Sequence, residues 1–255
     1  MAHSVSHQLI IELNDNDLIV TTIKRDREIV NLQLFPSFKL TNLEEILSEL
    51  PDIYSDVLLL ARKTNFIILP EIYYQTDYKD LYTLNHILQN NEALYLDKSD
   101  HGFGILYSMD MDLLTLIRNK FLRIMQRSEV SVILSKIYKE INFRLPQIFI
   151  TINKENLLII AVNDGTLQLC NSYQAQNTDE IFYFVMLAIE QLQFLPTETE
   201  LVFLGKPFLL NDLKELFKNY IQKIRTWEET FRGEENLINQ NMIENSFALQ
   251  SLLCE

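Results

Sequence analysis

Apolar and polar residues follow one another along the chain in blocks that predict hairpins and helices. The first block, IIELNDNDLIV at residues 10–20, is an apolar run, four alternating Asn and Asp residues, and a second apolar run. Asn and Asp bond locally to the backbone and tolerate left-handed backbone angles. Two apolar runs joined by such residues are typical of a β-hairpin, so we predict strand, turn, strand here.

The alternating amides and carboxylates of this turn also resemble the ligands of a calcium loop. Such a loop needs a glycine at its sixth position and a bidentate glutamate at its twelfth. Counted from Asp15, those two positions hold Val20 and Asp26. We therefore favour a structural turn over a metal site.

The hairpin pattern occurs twice in the sequence. Residues 8–23, QLIIELNDNDLIVTTI, align without a gap with residues 147–162, QIFITINKENLLIIAV. Asn14 of the first turn matches Asn153 of the second, and apolar positions match through most of the remainder. The second turn contains a lysine, which a structural turn accepts and a calcium loop does not use. A repeat on this scale indicates a duplicated fold.

The order of predicted elements after each hairpin is also the same. The first hairpin precedes a strand at Ile29–Phe35, a helix from Thr41 and a strand at Asp56–Ala61. Thr41 and Glu44 have the spacing of a capping box, in which the two residues cap each other's backbone N–H groups.

The second hairpin precedes a strand near residues 167–173, a helix from Asn177, a strand at 200–205 and a helix at 210–224. Asn177 has a glutamate three residues later, which is again the spacing of a capping box. The common order is strand, strand, strand, helix, strand, helix. This order predicts an α/β fold with two lobes, each built on a mixed sheet whose first three strands are antiparallel.

The first copy carries extra residues between about 65 and 144. They predict further elements, namely a helix at 77–88, a hairpin that turns at His101 and Gly102, and helices at 111–121 and 129–141. Pro146 directly precedes the second copy. We therefore predict a first lobe with insertions at 1–145 and a second lobe at 146–255, whose last residues have the apolar spacing of an amphipathic helix.

Composition narrows the function classes. The chain has 22 basic and 35 acidic residues, for a formal net charge of −13. This charge argues against nucleic-acid binding, which draws on a basic surface, and against adhesion to anionic lipid. No apolar run approaches the roughly 18 residues of a membrane span, and no signal peptide is evident. The two cysteines, Cys170 and Cys254, form no disulfide framework. We expect a soluble cytoplasmic protein with no nucleic-acid partner and no membrane insertion.

Four segments resemble a bacterial family of proteins of unknown function that is assigned to the actin-like fold. They are QIFITINKENLLIIAV, NTDEIFYFVMLAIEQL, TETELVFLGKPFLLNDLKELFKNYI and the terminal LLCE. The resemblance implies the duplicated, ribonuclease-H-like fold of the actin-like ATPase superfamily. The pilus-assembly protein PilM is a more distant likeness within that superfamily, and it represents members that are scaffolds and dock peptides.

The resemblance also implies where a nucleotide would bind. Active members of the superfamily hold it between the two halves, with an Asp-x-Gly pattern at the end of each first strand and paired glycines beside the adenosine. Here these patterns fall on residues 12–14, 151–153 and 204–206. Glu12 keeps a carboxylate and Gly205 keeps one glycine, whereas Asn14 and Asn153 stand where glycine is expected. The whole chain has five glycines, so few remain to build a substitute loop.

We therefore predict that Glu12, Asn14, Asn153 and Gly205 are vestiges of a nucleotide site, with no catalytic residue, no metal site and no cofactor. The predicted function is a protein-binding or scaffold module without ATPase activity, with an unidentified protein partner. The alternative is a divergent ATPase or small-molecule kinase that binds ATP between the lobes through the same four residues.

Two further hypotheses remain from the residue pattern. A nuclease would need carboxylates that converge on metal ions, and Glu12, Glu44 or Glu45, and Asp56 are the candidates. The tyrosine-rich segment at residues 71–84 is either a recognition surface or ordinary helix packing, and its spacing favours packing.

Overall fold

The structure is a computed structural model, and it describes residues 7–14, 17–24, 28–62, 64–140, 145–205, 207 and 209–227. The described residues divide into two compact units, one up to Leu134 and one from Ser135. The two lobes predicted at 1–145 and 146–255 stay a prediction.

The first unit contains three antiparallel strands, then alternating helices and strands with an inserted sheet. Its elements are β1 (His7–Leu13), β2 (Leu18–Lys24), β3 (Ile29–Phe35), α1 (Leu43–Glu49), β4 (Asp56–Ala61), β5 (Phe66–Pro70), α2 (Tyr78–Thr83), β6 (Glu92–Lys98), β7 (Phe103–Asp110), α3 (Met111–Lys120), β8 (Met125–Ser128) and the first half of α4 (Glu129–Glu140). Short 3-10 helices lie at Leu40–Asn42 and Glu71–Tyr73.

The second unit repeats the scheme without the inserted sheet. After the second half of α4 it contains β9 (Gln147–Asn153), β10 (Asn156–Asn163), β11 (Thr166–Gln174), α5 (Thr178–Gln191), β12 (Glu200–Leu204), α6 (Leu210–Phe217) and β13 (Lys223–Trp227).

The two main sheets have the same strand order. The first is β3-β2-β1-β4-β8 and the second is β11-β10-β9-β12-β13, and the insertion adds a sheet of order β5-β7-β6. In each main sheet the hairpin strands are antiparallel, and the last three strands run parallel to one another. The predicted duplicated α/β fold with mixed sheets is confirmed.

The strands on either side of NDND, and those on either side of its repeat partner, pair as β-hairpins. In the first, Leu13 pairs with Leu18, and the backbone N–H of Asn14 donates to the carbonyl of Asp17 at 2.9 Å. In the second, Asn153 pairs directly with Asn156. The residues between them include Lys154, whose φ of 52° lies in the left-handed region that turns require. The insertion hairpin also turns at His101 and Gly102, as predicted.

Three helix predictions need correction. The capping box at Thr41 does not form, because α1 begins only at Leu43 after a 3-10 turn. The helix predicted at 77–88 ends at Thr83, and Leu84 and Ile87 beyond it are exposed, so they bury little surface that would stabilise further turns. The helix predicted at 210–224 ends at Phe217, because Lys223–Trp227 pairs with β12 as a parallel strand.

The core of the second unit shows how the apolar stripes of its helices meet the sheet. On α5 the buried residues recur three and four positions apart, which keeps them on one face of the helix. The ring of Phe217 on α6 lies 5.2 Å from Phe182 on α5 and 6.3 Å from Phe203 on β12. Side chains from both helices and the sheet therefore share one core.

Candidate functional site

In the first unit, three parallel strands end at the same level. Leu13 pairs with Ala61, and Ala61 pairs with Ser128, so the carboxyl ends of β1, β4 and β8 form one edge. The residues directly beyond this edge are Asn14, Arg62 and Glu129. Ligands of open α/β sheets bind outside the carboxyl ends of the strands, so this edge is the candidate site of the first unit.

A buried ion pair occupies this edge. Arg62 Nε donates to Glu129 Oε1 at 2.9 Å, and both residues are less than a tenth exposed. The backbone N–H of Arg62 also donates to the carbonyl of Leu13 at 2.8 Å, which fixes Arg62 against the end of β1. Burial raises the pKa of the Glu129 carboxyl, and the charge of Arg62 opposes that rise. The guanidinium is therefore already matched by a carboxylate.

A second buried carboxyl group reaches the same region from the inserted sheet. Asp97 on β6 accepts hydrogen bonds from the backbone N–H of Ser128 at 2.6 Å, from Ser131 Oγ at 2.7 Å and from the Tyr107 hydroxyl at 3.3 Å. Burial raises its pKa, while the bonds from Ser128 and Ser131 lower it. A carboxylate at the start of α4 also complements the helix dipole. These bonds give Asp97 a structural role in positioning the start of α4.

The predicted residues Glu12 and Asn14 lie in the hairpin of the first unit. Glu12 is 2% exposed and sits inside β1, opposite Ile19 and Leu60. Asn14 closes the turn through its bond to Asp17, whose carboxylate in turn accepts from the backbone N–H of Ser37 at 3.1 Å.

The predicted residues Asn153 and Gly205 lie in the second unit. Asn153 is buried at the end of β9, and Thr151 takes the position that Glu12 holds in the first copy. Gly205 follows β12 with a φ of 79°, a conformation that favours glycine. Its backbone N–H donates to the carbonyl of Trp227 at 2.9 Å. The candidates thus fall into one pair in each unit.

The side chain beside Gly205 is an aromatic ring with two cations over it. Lys136 Nζ is 4.7 Å from the centroid of the Trp227 ring, and Arg225 Cζ is 5.7 Å from it. Both distances are within the range of cation–π attraction. Arg225 also pairs with Glu200 at 3.2 Å. Because Trp227 is the single tryptophan of the chain, it reports on ligands that disturb Gly205.

The carboxylates considered for a nuclease are not brought together. Asp56 pairs with Gln8 at the start of β1, whereas Glu12 pairs with Leu60. Four residues of strand separate the two levels, or roughly 13 Å. Within the part of the chain that the structure describes, no three His, Cys, Asp or Glu side chains are grouped so that they could hold a metal ion.

The residues that sequence reasoning missed are Arg62, Asp97 and Glu129. A weak signal exists for the first, because an arginine directly follows the apolar strand DVLLLA. Glu129 was expected only as the start of a helix. Their pairing joins residues 67 positions apart, which no local pattern indicates.

The comparisons with known proteins identify the family. The family model described as "Protein of unknown function (DUF3822)" matches residues 2–224. The chain belongs to this family. None of the curated proteins is a match for it in sequence.

Solved structures show the fold of the DUF3822 chain. It is similar to a protein from Bacteroides thetaiotaomicron described as having an actin-like ATPase fold and unknown function, with a TM-score of 0.78, 16% identity, and coverage of 96% of this chain and 99% of that one. It is also similar to a chain of the PilM–PilN type IV pilus biogenesis complex, with a TM-score of 0.56, 10% identity and 97% coverage of both chains. The protein therefore has an actin-like ATPase fold, as the sequence predicted.

None of the described helices has both the length and the apolar character needed to cross a membrane.

The tyrosine-rich segment at residues 71–84 contains both a packed side chain and an exposed one, so it fits neither the packing nor the recognition hypothesis alone. Tyr82 is fully buried and its hydroxyl lies 3.2 Å from Ser108 Oγ, whereas Tyr73 is exposed. The predicted amphipathic tail and Cys254 lie outside the described residues.

Proposed function

We propose that this protein is a protein-binding scaffold that does not hydrolyse nucleotide. The observation that carries the proposal is the turn after β1. Asn14 replaces the expected glycine, and its backbone N–H is bonded to Asp17 within the turn. A phosphate loop depends on backbone N–H groups that point at the ligand, and on glycine to let the ligand approach them.

The second unit supports the same conclusion. Thr151 offers no carboxylate for magnesium, and Asn153 replaces the second glycine. Gly205 keeps its left-handed conformation, but its N–H is bonded to the carbonyl of Trp227. The backbone donor at the adenosine-side position is therefore used inside the sheet.

The charged residues at the sheet edge of the first unit also argue against phosphate binding. Arg62 is the cation beyond β4, and its guanidinium is paired with Glu129. Two more buried acidic residues, Glu12 and Asp97, lie in the same region. A phosphate anion would have to compete with Glu129 for Arg62 while it approached further carboxyl groups, which is costly in a buried site.

The likeness to a chain of the PilM–PilN complex gives the scaffold proposal an analogy. The name of that complex shows two different proteins assembled together. Similarity of fold supports this function only weakly, because functions reside in particular sites and not in the fold.

A nucleotide titration tests the proposal. We expect millimolar ATP with magnesium to leave both the melting temperature and the fluorescence of Trp227 unchanged. A ligand present at a hundred times its Kd would stabilise the fold by about 2.7 kcal/mol. For a chain of this size that corresponds to roughly 5–10 °C. Inorganic phosphate with magnesium serves as the control for nonspecific anion effects.

The alternative is the divergent ATPase or small-molecule kinase, which the retained conformation of Gly205 and the carboxylate of Glu12 favour. A saturable shift with ATP that phosphate does not reproduce would support this alternative and overturn the scaffold proposal. Gly205→Ala would then weaken ATP binding, because a side chain at a φ of 79° is strained and changes the backbone beside Trp227.

A further inference from the structure

One stretch of the chain departs from its acidic character. Residues 118–127, RNKFLRIMQR, contain four basic residues and no acidic one, in a chain whose net charge is −13. Apolar residues alternate with the basic ones. Basic residues near the end of α3 complement the helix dipole. That role does not account for Arg123, which lies beyond the helix, or for the apolar residue next to it.

Three large apolar side chains in this region are exposed. Leu122 is fully exposed, Ile53 is 68% exposed and Met125 is 58% exposed. A partner that covered them would gain about 1.5–3 kcal/mol for each side chain that it buried fully.

Neighbouring contacts bring these residues together. Asp52 forms an ion pair with Lys120, and the ring of Tyr54 lies 5.9 Å from the ring of Phe121. Ile53 therefore lies between two residues that contact the segment just before Leu122. Met125, the first residue of β8, pairs with Leu58 near the start of β4, which begins three residues after Ile53.

The exposed residues of this region include apolar and basic side chains, with Asp52 as an acidic neighbour that is paired with Lys120. We call Ile53, Leu122, Met125, Arg118 and Arg123 the Leu122 patch, and both arginines are exposed. The patch lies where β4 and β8 begin, at the opposite end of these strands from Arg62 and Glu129. It is therefore separate from Glu12 and Asn14, the candidate nucleotide residues of the first unit.

We propose that the Leu122 patch docks an acidic amphipathic peptide segment of a protein partner, which rests on the proposed scaffold function. Carboxylates of the peptide would pair with Arg118 and Arg123, which can bind them bidentately. Apolar side chains of the peptide would cover Leu122, Ile53 and Met125. An anionic membrane shares the charge of such a peptide, but adhesion to a membrane draws on clusters of about four to eight basic residues, and the patch contains two arginines.

The test uses the full chain and three fluorescein-labelled peptides of equal length. One alternates Glu with Leu in a helical pattern, one replaces each Leu by Ser, and one replaces each Glu by Lys. Fluorescence anisotropy gives the Kd of each. We expect the Glu/Leu peptide to bind about tenfold more tightly than the other two, and its affinity to fall as salt is raised.

Matched variants locate the binding. Leu122→Ser and Arg123→Glu should each weaken binding of the Glu/Leu peptide by about tenfold. Leu84→Ser and Lys79→Glu make the same changes at other exposed positions and should leave the Kd unchanged. All four side chains are exposed, so each variant should keep the wild-type melting temperature.

Several outcomes would overturn the proposal. They are absent binding, equal binding of the three peptides, an equal loss in the control variants, and Leu122-dependent binding to phosphatidylserine vesicles without peptide binding. If the peptides do not bind and ATP does not change the melting temperature, the Leu122 patch is not a docking site, but the scaffold proposal stands. A saturable shift of the melting temperature with ATP would overturn the scaffold proposal, whether or not the peptides bind.

Discussion

In the first unit, a buried ion pair and a buried carboxyl group lie at the carboxyl ends of the parallel strands. In the second unit, Gly205 follows β12 and Trp227 is the last residue of β13. The strand order of the two sheets is nevertheless the same. Arg62 and Glu129 pair in the first unit, and Gly205 donates to Trp227 in the second. At the equivalent positions in the first strands, Glu12 matches Thr151.

The difference shows that a duplicated fold can keep its topology while its site residues change. Topology depends on apolar positions and turns, and these match between the copies. Site chemistry depends on a few polar side chains, which are not needed to form the sheets.

The largest effect is expected from the ion pair of the first unit. Arg62→Met leaves Glu129 buried without its cation, and breaking such a pair costs about 3–5 kcal/mol. We expect a loss of that size in the free energy of unfolding, measured by urea denaturation at neutral pH. The control is Lys218→Met, which breaks the exposed pair with Glu215 and should cost about 0–1 kcal/mol.

A double variant shows whether the lost stability comes from the unpaired charge of Glu129 or from lost packing. Arg62→Met with Glu129→Leu removes both charges, so it should recover much of the stability that Arg62→Met loses. Equal losses in the single and double variants would show that Arg62 stabilises the first unit through packing and not through Glu129.

A smaller effect is expected at Asp97, which lies on the inserted sheet that the second unit lacks. Its pKa is above the ordinary 3.8 because of burial. The folded protein therefore holds a proton that the unfolded chain has released, and this contribution to stability is lost as pH rises from about 3.8 through the raised pKa. Asp97→Asn cannot ionise, so its free energy of unfolding relative to wild type should increase over that interval.

Removing a hydrogen bond to Asp97 gives a second test of its raised pKa. The Ser131 hydroxyl lowers the pKa of Asp97, so Ser131→Ala should raise that pKa further and extend the loss of stability to higher pH. Urea denaturation at several pH values measures both variants. Parallel curves for wild type and Asp97→Asn would contradict the assigned environment.

The sequence predicted the fold where the information is local. Ile29–Phe35 and Asp56–Ala61 have the predicted bounds, because hydrophobic runs and turn residues define them. Strands β8 and β13 were missed. They have four and five residues and contain charged side chains, so only pairing with β4 and β12 stabilises them as strands.

The candidate site was predicted less completely, for the same reason. The resemblance to the actin-like superfamily pointed to Glu12, Asn14, Asn153 and Gly205, and the internal alignment places Asn14 opposite Asn153. It could not indicate that Arg62 pairs with Glu129, or that an inserted strand brings Asp97 to Ser128. Those contacts depend on the arrangement of distant segments.

The smallest expected effect compares the equivalent helices α1 and α5. Both sequences have the spacing of a capping box, but only at α5 does the side chain of the first residue cap the helix. Asn177 Oδ1 accepts from the backbone N–H of Glu180 at 2.9 Å, whereas Thr41 Oγ1 donates to Asn42 Oδ1 at 3.1 Å. Asn177→Ala should therefore lower the free energy of unfolding by about 1 kcal/mol.

Thr41→Ala should change stability by less than about 0.5 kcal/mol, because it removes no cap. The 3-10 turn at Leu40–Asn42 shifts the start of α1 past the position at which Thr41 could accept from Glu44. Urea denaturation of both variants measures the difference. Equal losses would mean that α1 uses Thr41 as its cap in solution, and that the two helices begin in the same way.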